Sequence, residues 1–139
     1  MIRLARQVLG HLEAAARRAY PNETCGFLIG HQDDQAVHID CFALSPNRAA
    51  DPGRHFTLDP AMHLKLQRQL RGSRFGIVGL FHSHPGGRAE MSPADLQSPA
   101  PEAWVWLVLA LQAKEGVVES AAFRRAEEKG PVGLHLILF

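Results

Sequence analysis

Cysteine is scarce in this chain of 139 residues: Cys25 and Cys41 are the only two, enough for one disulfide at most. A chain of this length can bury a core without a covalent staple, so reduced thiols are the simpler expectation and a disulfide-built scaffold is excluded. An excess of one charge is also lacking. Fifteen Lys and Arg face fourteen Asp and Glu, a formal net charge of +1, which leaves no field to attract a polyanion and argues against nucleic acid as a partner. No apolar run approaches the roughly 20 residues of a membrane-spanning helix. The longest, Ala103 to Leu111, contains two Trp and two Val and reads as a buried strand. Met1 to Gly10 places Arg3 and Arg6 among its apolar residues and offers no secretory leader, so a cytoplasmic protein is expected, with no membrane partner. What is present is an ordinary globular composition, 46% hydrophobic and 21% charged, and one domain spanning 1–139 follows from it. Eight histidines are the one unusual count.

Apolar residues Val8, Leu12, Ala15 and Ala19 recur at helical spacing, predicting a helix from Leu4 to Ala19 that Pro21 ends. Cys25 to Gly30 is a short apolar run and Ala36 to Leu44 alternates Val37, Ile39 and Cys41 with polar neighbours, so a hairpin of two strands follows. Ser45 to Arg54 reads as a loop. Asp59-Pro60 is a helix start, with a side-chain acceptor before a Pro, and Met62, Leu66 and Leu70 form its apolar stripe until Gly72. Phe75 to His82, Ala103 to Leu111, Val117 to Phe123 and Leu134 to Phe139 complete a set of about six strands, and Ser92-Pro93 opens a short helix. Helices mixed with these strands predict an α/β sandwich around one central sheet.

The chemistry is concentrated between Phe81 and Asp95. On a strand, His82 and His84 project to the same face, where two imidazoles can grip one ion. Catalytic Zn²⁺ commonly takes three protein ligands and keeps one position open, and Asp95, at a helix start one glycine-rich loop downstream, is the best third ligand. Either histidine alone would read as a strand residue at the surface; their spacing, the Pro85-Gly86-Gly87 turn and the following acid together favour a metal site. Ser92 reads first as the N-cap of that helix, a role compatible with donating its proton to an oxyanion. A hydrolytic site also needs a proton carrier. Glu23 and Glu90 are both candidates, and pattern favours Glu23 slightly, since Glu90 reads as a solvated loop charge while an acid at the edge of the core is unusual unless something there uses it.

Glu23-Thr24-Cys25-Gly26, then His82-Ser83-His84-Pro85, then Ser92 and Asp95, resemble the signature of the JAMM (MPN+) metalloproteases, in their small stand-alone prokaryotic form. The likeness extends to Pro21 ahead of Glu23 and to Phe56-x-Leu58-Asp59-Pro60. It implies that His82, His84 and Asp95 bind Zn²⁺, that Glu23 rather than Glu90 is the acid/base acting on water at the metal, and that Ser92 stabilises the tetrahedral intermediate. It also implies a cytidine-deaminase-like α/β/α sandwich with a mixed central sheet. The short chain leaves little space for the insertions with which larger relatives hold ubiquitin. Stand-alone members are associated with trimming ubiquitin-fold sulfur carriers to a C-terminal Gly-Gly, so a zinc-dependent peptidase or isopeptidase acting on such a tail is implied. The tail would pair as an added strand along a sheet edge.

Trp104 and Trp106 are expected in the core, and His55 and His63 at the surface, with His55 within reach of the cleft. The final strand, apolar on both faces, is either central to the sheet or covered by a second subunit in a homodimer. Two rival readings stand: a non-catalytic MPN-type scaffold, although no ligand is missing here, and a cysteine hydrolase built on Cys25, for which the sequence supplies no orienting group.

Overall fold

A computed structural model of the chain describes residues 1–126 and 130–139. In chain order the elements are β1 (Ile2–Leu4), α1 (Arg6–Ala19), β2 (Cys25–Gln32), β3 (Val37–Ser45), α2 (Pro60–Leu70), β4 (Gly76–Pro85), α3 (Pro93–Leu96), β5 (Val105–Leu111), β6 (Glu119–Ala126), β7 (Gly130–Leu134) and β8 (Leu136–Leu138). The strands form one mixed sheet in the order β7-β6-β5-β4-β2-β3-β1-β8. Both β1–β3 and β4–β5 run parallel, while β2 is antiparallel to β3 and β4. Among the described residues, no helix is long and apolar enough to cross a membrane.

The expected α/β class with a central mixed sheet is present, but the sheet has eight strands rather than about six. Two of the differences have a clear origin. Ile2 to Leu4 continues the apolar spacing of α1, yet it is taken into the sheet between β3 and β8, so the helix starts at Arg6. Tertiary pairing overrides the local period there. The run from Leu134 to Phe139 is neither one strand nor a central one. It breaks at His135, so that Leu134 ends β7 at one end of the strand order while Leu136 begins β8 at the other. A single residue bridges the two ends, and the sheet must therefore curl until they nearly meet.

The curl has an inside. Leu9, Leu12 and Ala16 of α1 pack with Ile2, Leu4, Leu28, Phe81 and alternate residues of β5, and Leu134, Leu136 and Leu138 close over them. The opposite face of the central strands presents Phe27, Ile29, Leu80 and Trp106 to Leu66 of α2, with Trp104 and Met91 beside them. Helices therefore pack on both faces, but the sheet between them is curled nearly into a barrel rather than laid flat as the layer of a sandwich, and both Trp residues are core. Asp59 starts α2 as its sequence predicts, its carboxylate accepting from the Ala61 N–H at 3.2 Å.

Alternation along β3 breaks midway. Ile29 pairs with Cys41 but Gly30 pairs with Ile39, so Asp40 is an extra residue and the inward phase shifts. Cys41, expected to face in with Val37 and Ile39, is exposed, and Phe42 instead stacks edge-on to Phe81 at 5.5 Å.

β4, the strand that carries both histidines, is wedged between β2 and β5. At Gly79 an added Cβ would lie 2.0 Å from the Val105 carbonyl oxygen, whereas at Gly76 it would meet nothing within 4 Å. Gly79→Ala is expected to cost about 3 kcal/mol through the overpacking it forces between two backbones, and Gly76→Ala to stay within about 0.5 kcal/mol. Urea denaturation midpoints measure both; equal midpoints would refute this account of how β4 is seated.

Candidate active site

Strand alternation places His82 and His84 on one face at the carboxyl end of β4, His82 fully buried and His84 partly exposed. Glu23 reaches them because its segment is stitched to β4. The Thr24 N–H donates to Ser83 Oγ at 2.8 Å and the Ser83 N–H donates back to the Thr24 carbonyl at 3.0 Å. From the other side the Glu23 N–H donates to the Pro52 carbonyl at 2.7 Å, and the Asn47 amide donates to the Glu23 and His55 carbonyls. Asp95 arrives on α3, a single turn fixed by a capping box: its N–H donates to Ser92 Oγ at 3.1 Å while its Oδ2 accepts from the Ser92 N–H at 2.9 Å. The N-cap reading of Ser92 holds, and because that oxygen acts as acceptor its hydroxyl proton is available.

The side chains converge. Asp95 Oδ2 lies 3.1 Å from His82 Nε2 and 3.4 Å from His84 Nε2, and Glu23 Oε1 lies 3.1 Å from His82 Nδ1. Glu23, His82 and His84 each offer a donor atom within 4.8 Å of the other two. Both carboxylates are buried, Glu23 at 6% and Asp95 at 5% exposure. His84 Nδ1 faces the Arg88 carbonyl at 2.9 Å and donates to it, which leaves Nε2 as the ring atom turned toward Asp95. Of the two carboxylates, Asp95 is the one set against both Nε2 atoms, while Glu23 sits at the opposite edge of the His82 ring. Two imidazoles and a carboxylate are a donor set that suits Zn²⁺.

Glu23, Ser92 and Asp95 open on a cavity of about 490 Å³, also lined by His55, Leu58 and Trp104, while the two imidazoles lie behind its wall. Residues 5–125 match the family of prokaryotic homologs of the JAB domain. The chain belongs to this family. A curated relative from Haloferax volcanii, a desampylase, is 29% identical over 103 residues, which cover 73% of this chain and 71% of the relative. The solution structure of a protein from Desulfitobacterium hafniense has a TM-score of 0.87 and 27% identity, covering all of this chain and 93% of that one. One from Salinibacter ruber, at 20% identity and a TM-score of 0.74 over 99% and 91% of the two chains, shares the fold.

In this JAB-domain protein, then, the motif residues Glu23, His82, His84, Ser92 and Asp95 lie around one end of β4. Glu90 does not join them: it is exposed and faces a different hollow, beside Gln112 and Glu119. His55 lines the cavity as foreseen. His63, expected at the surface, is half-buried, its ring 5.4 Å from Phe27 and 5.2 Å from Trp104. Cys25 is buried, and burial together with the Glu23 charge pushes its thiol up to about 12, which removes the thiolate a cysteine hydrolase would need. Two contributors were not read from the sequence. Phe56 stacks on His82 at 4.4 Å and 17°, shielding the ring from water. Asn47 secures the loop around Glu23 by accepting from the Ala49 and Thr57 N–H groups as well as donating. Phe56 lies in the stretch that resembles the family, but Asn47 stands in a Pro- and Asn-rich loop that carries no comparable signal.

The electrostatics follow from the geometry. Burial favours a neutral His82, but hydrogen bonds to Asp95 and Glu23 and their charges outweigh it, raising the group from 6.5 to about 9. Burial also works against the Asp95 charge, yet the bonds from His82 and His84 hold its carboxyl well below the ordinary carboxylate range. A group raised on folding adds stability that is complete below its unfolded value and lost as pH climbs through its folded one. Chelator-treated protein is therefore expected to lose stability between pH 6.5 and pH 9, on the order of 3 kcal/mol. His82→Gln should flatten that slope. Urea midpoints at pH 6 and pH 10 test this, and equal values in the parent chain would contradict it.

Proposed function

We propose that the protein is a zinc-dependent hydrolase that cleaves a peptide or isopeptide bond at the C-terminal tail of a ubiquitin-fold protein. The observation that carries the reading is the placement of Asp95 Oδ2 against the Nε2 atoms of both His82 and His84, with Glu23 beside them and a cavity in front. Family membership and the desampylase relative support a hydrolase acting on a ubiquitin-like conjugate. A sulfur carrier ending in Gly-Gly is our specific candidate for the substrate, and the whole chain acting as one domain is part of the same reading.

His82, His84 and Asp95 would hold the ion, and when bound it would polarise the scissile carbonyl and acidify water. Glu23 is assigned the proton transfer, taking a proton from the attacking water and returning it to the departing nitrogen. The Ser92 hydroxyl, which accepts from the Asp95 N–H, donates to the carbonyl oxygen as charge develops on it. The Arg88 carbonyl keeps His84 in one tautomer, and Phe56 keeps the His82 ring oriented and dry.

The test is cleavage of a carrier-protein fusion whose Gly-Gly tail joins a reporter. Cleavage should stop with a chelator, return with Zn²⁺ and be indifferent to a thiol alkylator. Glu23→Gln should lower kcat by roughly 10²- to 10⁴-fold while the protein still takes up zinc, whereas His84→Ala should lose the metal. Cleavage that survives chelation refutes the zinc reading, loss on alkylation points to Cys25, and no hydrolysis of any tail fusion leaves the scaffold reading.

A further inference from the structure

We propose that Arg125, on β6, is a positioning residue for the candidate centre: its guanidinium clamps the segment that follows α3, so that Asp95 stays set against the two imidazoles and the cavity keeps its wall. The inference rests on the site as read above, but its first observation is independent of any metal. Arg125 Nη1 donates to the Ser98 carbonyl at 2.5 Å and reaches the Asp95 carbonyl at 3.5 Å, and Nη2 donates to the Ala100 carbonyl.

The segment depends on these bonds. α3 is a single turn, too short to hold itself by helical cooperativity. Among the described residues, every hydrogen bond that reaches residues 97–103 from beyond α3 and the adjoining Trp104 comes from Arg125. The same segment supplies Gln97, Ser98, Pro99 and Ala100 to the cavity wall, so a single cation governs both the Asp95 backbone and the shape of the pocket.

Arg125 is itself held. Its guanidinium carbon lies 5.3 Å from the centroid of Trp106, a buried ring that meets His82 edge-on at 5.8 Å. The contact chain thus closes on the centre twice, through Asp95 and through His82. The Nε–H is buried and unpartnered among the described residues, so the polar engagement of this side chain is with the three carbonyls alone. A planar fork can serve carbonyls that diverge along a loop, whereas the compact ammonium of lysine cannot span them.

The experiment compares the full chain with Arg125→Ala and Arg125→Lys. Zinc affinity is read by competition with a chromophoric chelator, and amide exchange is followed residue by residue in the metal-stripped proteins. Arg125→Ala should weaken zinc binding roughly 10- to 100-fold, the range expected when a group supporting a ligand is lost. Exchange should quicken at 96–103 and stay unchanged in β4 and β5. Arg125→Lys should fall between, and it decides the matter if the alanine variant does not fold. Parental zinc affinity in the variant that folds, or full rescue by lysine, would overturn the clamp. So would exchange that quickens uniformly across β4 and β5, since that marks a residue stabilising the fold at large. If the parent chain takes up no zinc, the hydrolase reading fails, while exchange at 96–103 still decides for or against the clamp.

Discussion

A fully buried imidazole held between two carboxylates is the interaction on which the rest of this structure depends. His82 has no access to solvent, Glu23 lies at one ring nitrogen and Asp95 at the other, both within 3.1 Å. Burying charge is costly unless each charge meets its complement with good geometry, and removing one member leaves the others stranded. The three residues come from the turn after α1, the end of β4 and the single turn of α3, so the cluster can form only when those segments are in register. The ties that bring them together set backbone N–H groups mostly against side-chain oxygens: Thr24 with Ser83 on one side, the Ser92 and Asp95 capping box on the other.

The parts of this arrangement that were legible in the sequence are those governed by short-range rules. Period-two alternation put His82 and His84 on one face, and the Ser-Pro start with an acid three residues on announced the capping box that aims Asp95. Asp59-Pro60 and Gly72 bounded α2 closely, and Gly72 indeed adopts φ 81°. What escaped was set by distant partners. Ile2 to Leu4 carries the same apolar spacing as the helix it precedes, and only the β3 and β8 backbones turn it into a strand. The break at His135 has no turn residue to mark it; it exists because the two ends of a curled sheet arrive there together. Cys41 was misplaced by a bulge that the alternating pattern cannot display, since an extra residue leaves the composition of the strand unchanged.

The choice between Glu23 and Glu90 illustrates the same limit at the site. Both are acids beside a glycine-rich or strand-leading segment, and the neighbouring residues favour the first only slightly. The difference is tertiary: the Thr24 and Ser83 exchange draws the first into the buried cluster, while the second sits on a solvated loop facing another hollow. Resemblance to a family pointed to Glu23 because a family pattern records long-range proximity that a local reading cannot contain. Asn47 and Arg125 were invisible for the converse reason. Both act by binding carbonyl oxygens of chain segments far away in sequence, and a carbonyl carries no residue identity to be read.

The geometry around His82 also ties acidity to cation binding. Its Nε2 faces Asp95, and that nitrogen can hold a proton or a cation but not both. The carboxylates that raise the ring to about 9 are the same ones that would make a divalent ion welcome, so the proton and the ion draw on one source of stabilisation. Any cation bound there must displace a proton held more firmly than on a free imidazole, and uptake must therefore release that proton to solvent. His84, whose Nδ1 donates to the Arg88 carbonyl, stands at the other side of Asp95 with its Nε2 3.4 Å from the same carboxylate oxygen. The two imidazoles differ in what orients them: a backbone carbonyl holds His84, whereas two carboxylates hold His82. A proton on the His82 ring therefore opposes any cation there, and the strength of cation binding would fall as the solution becomes more acidic.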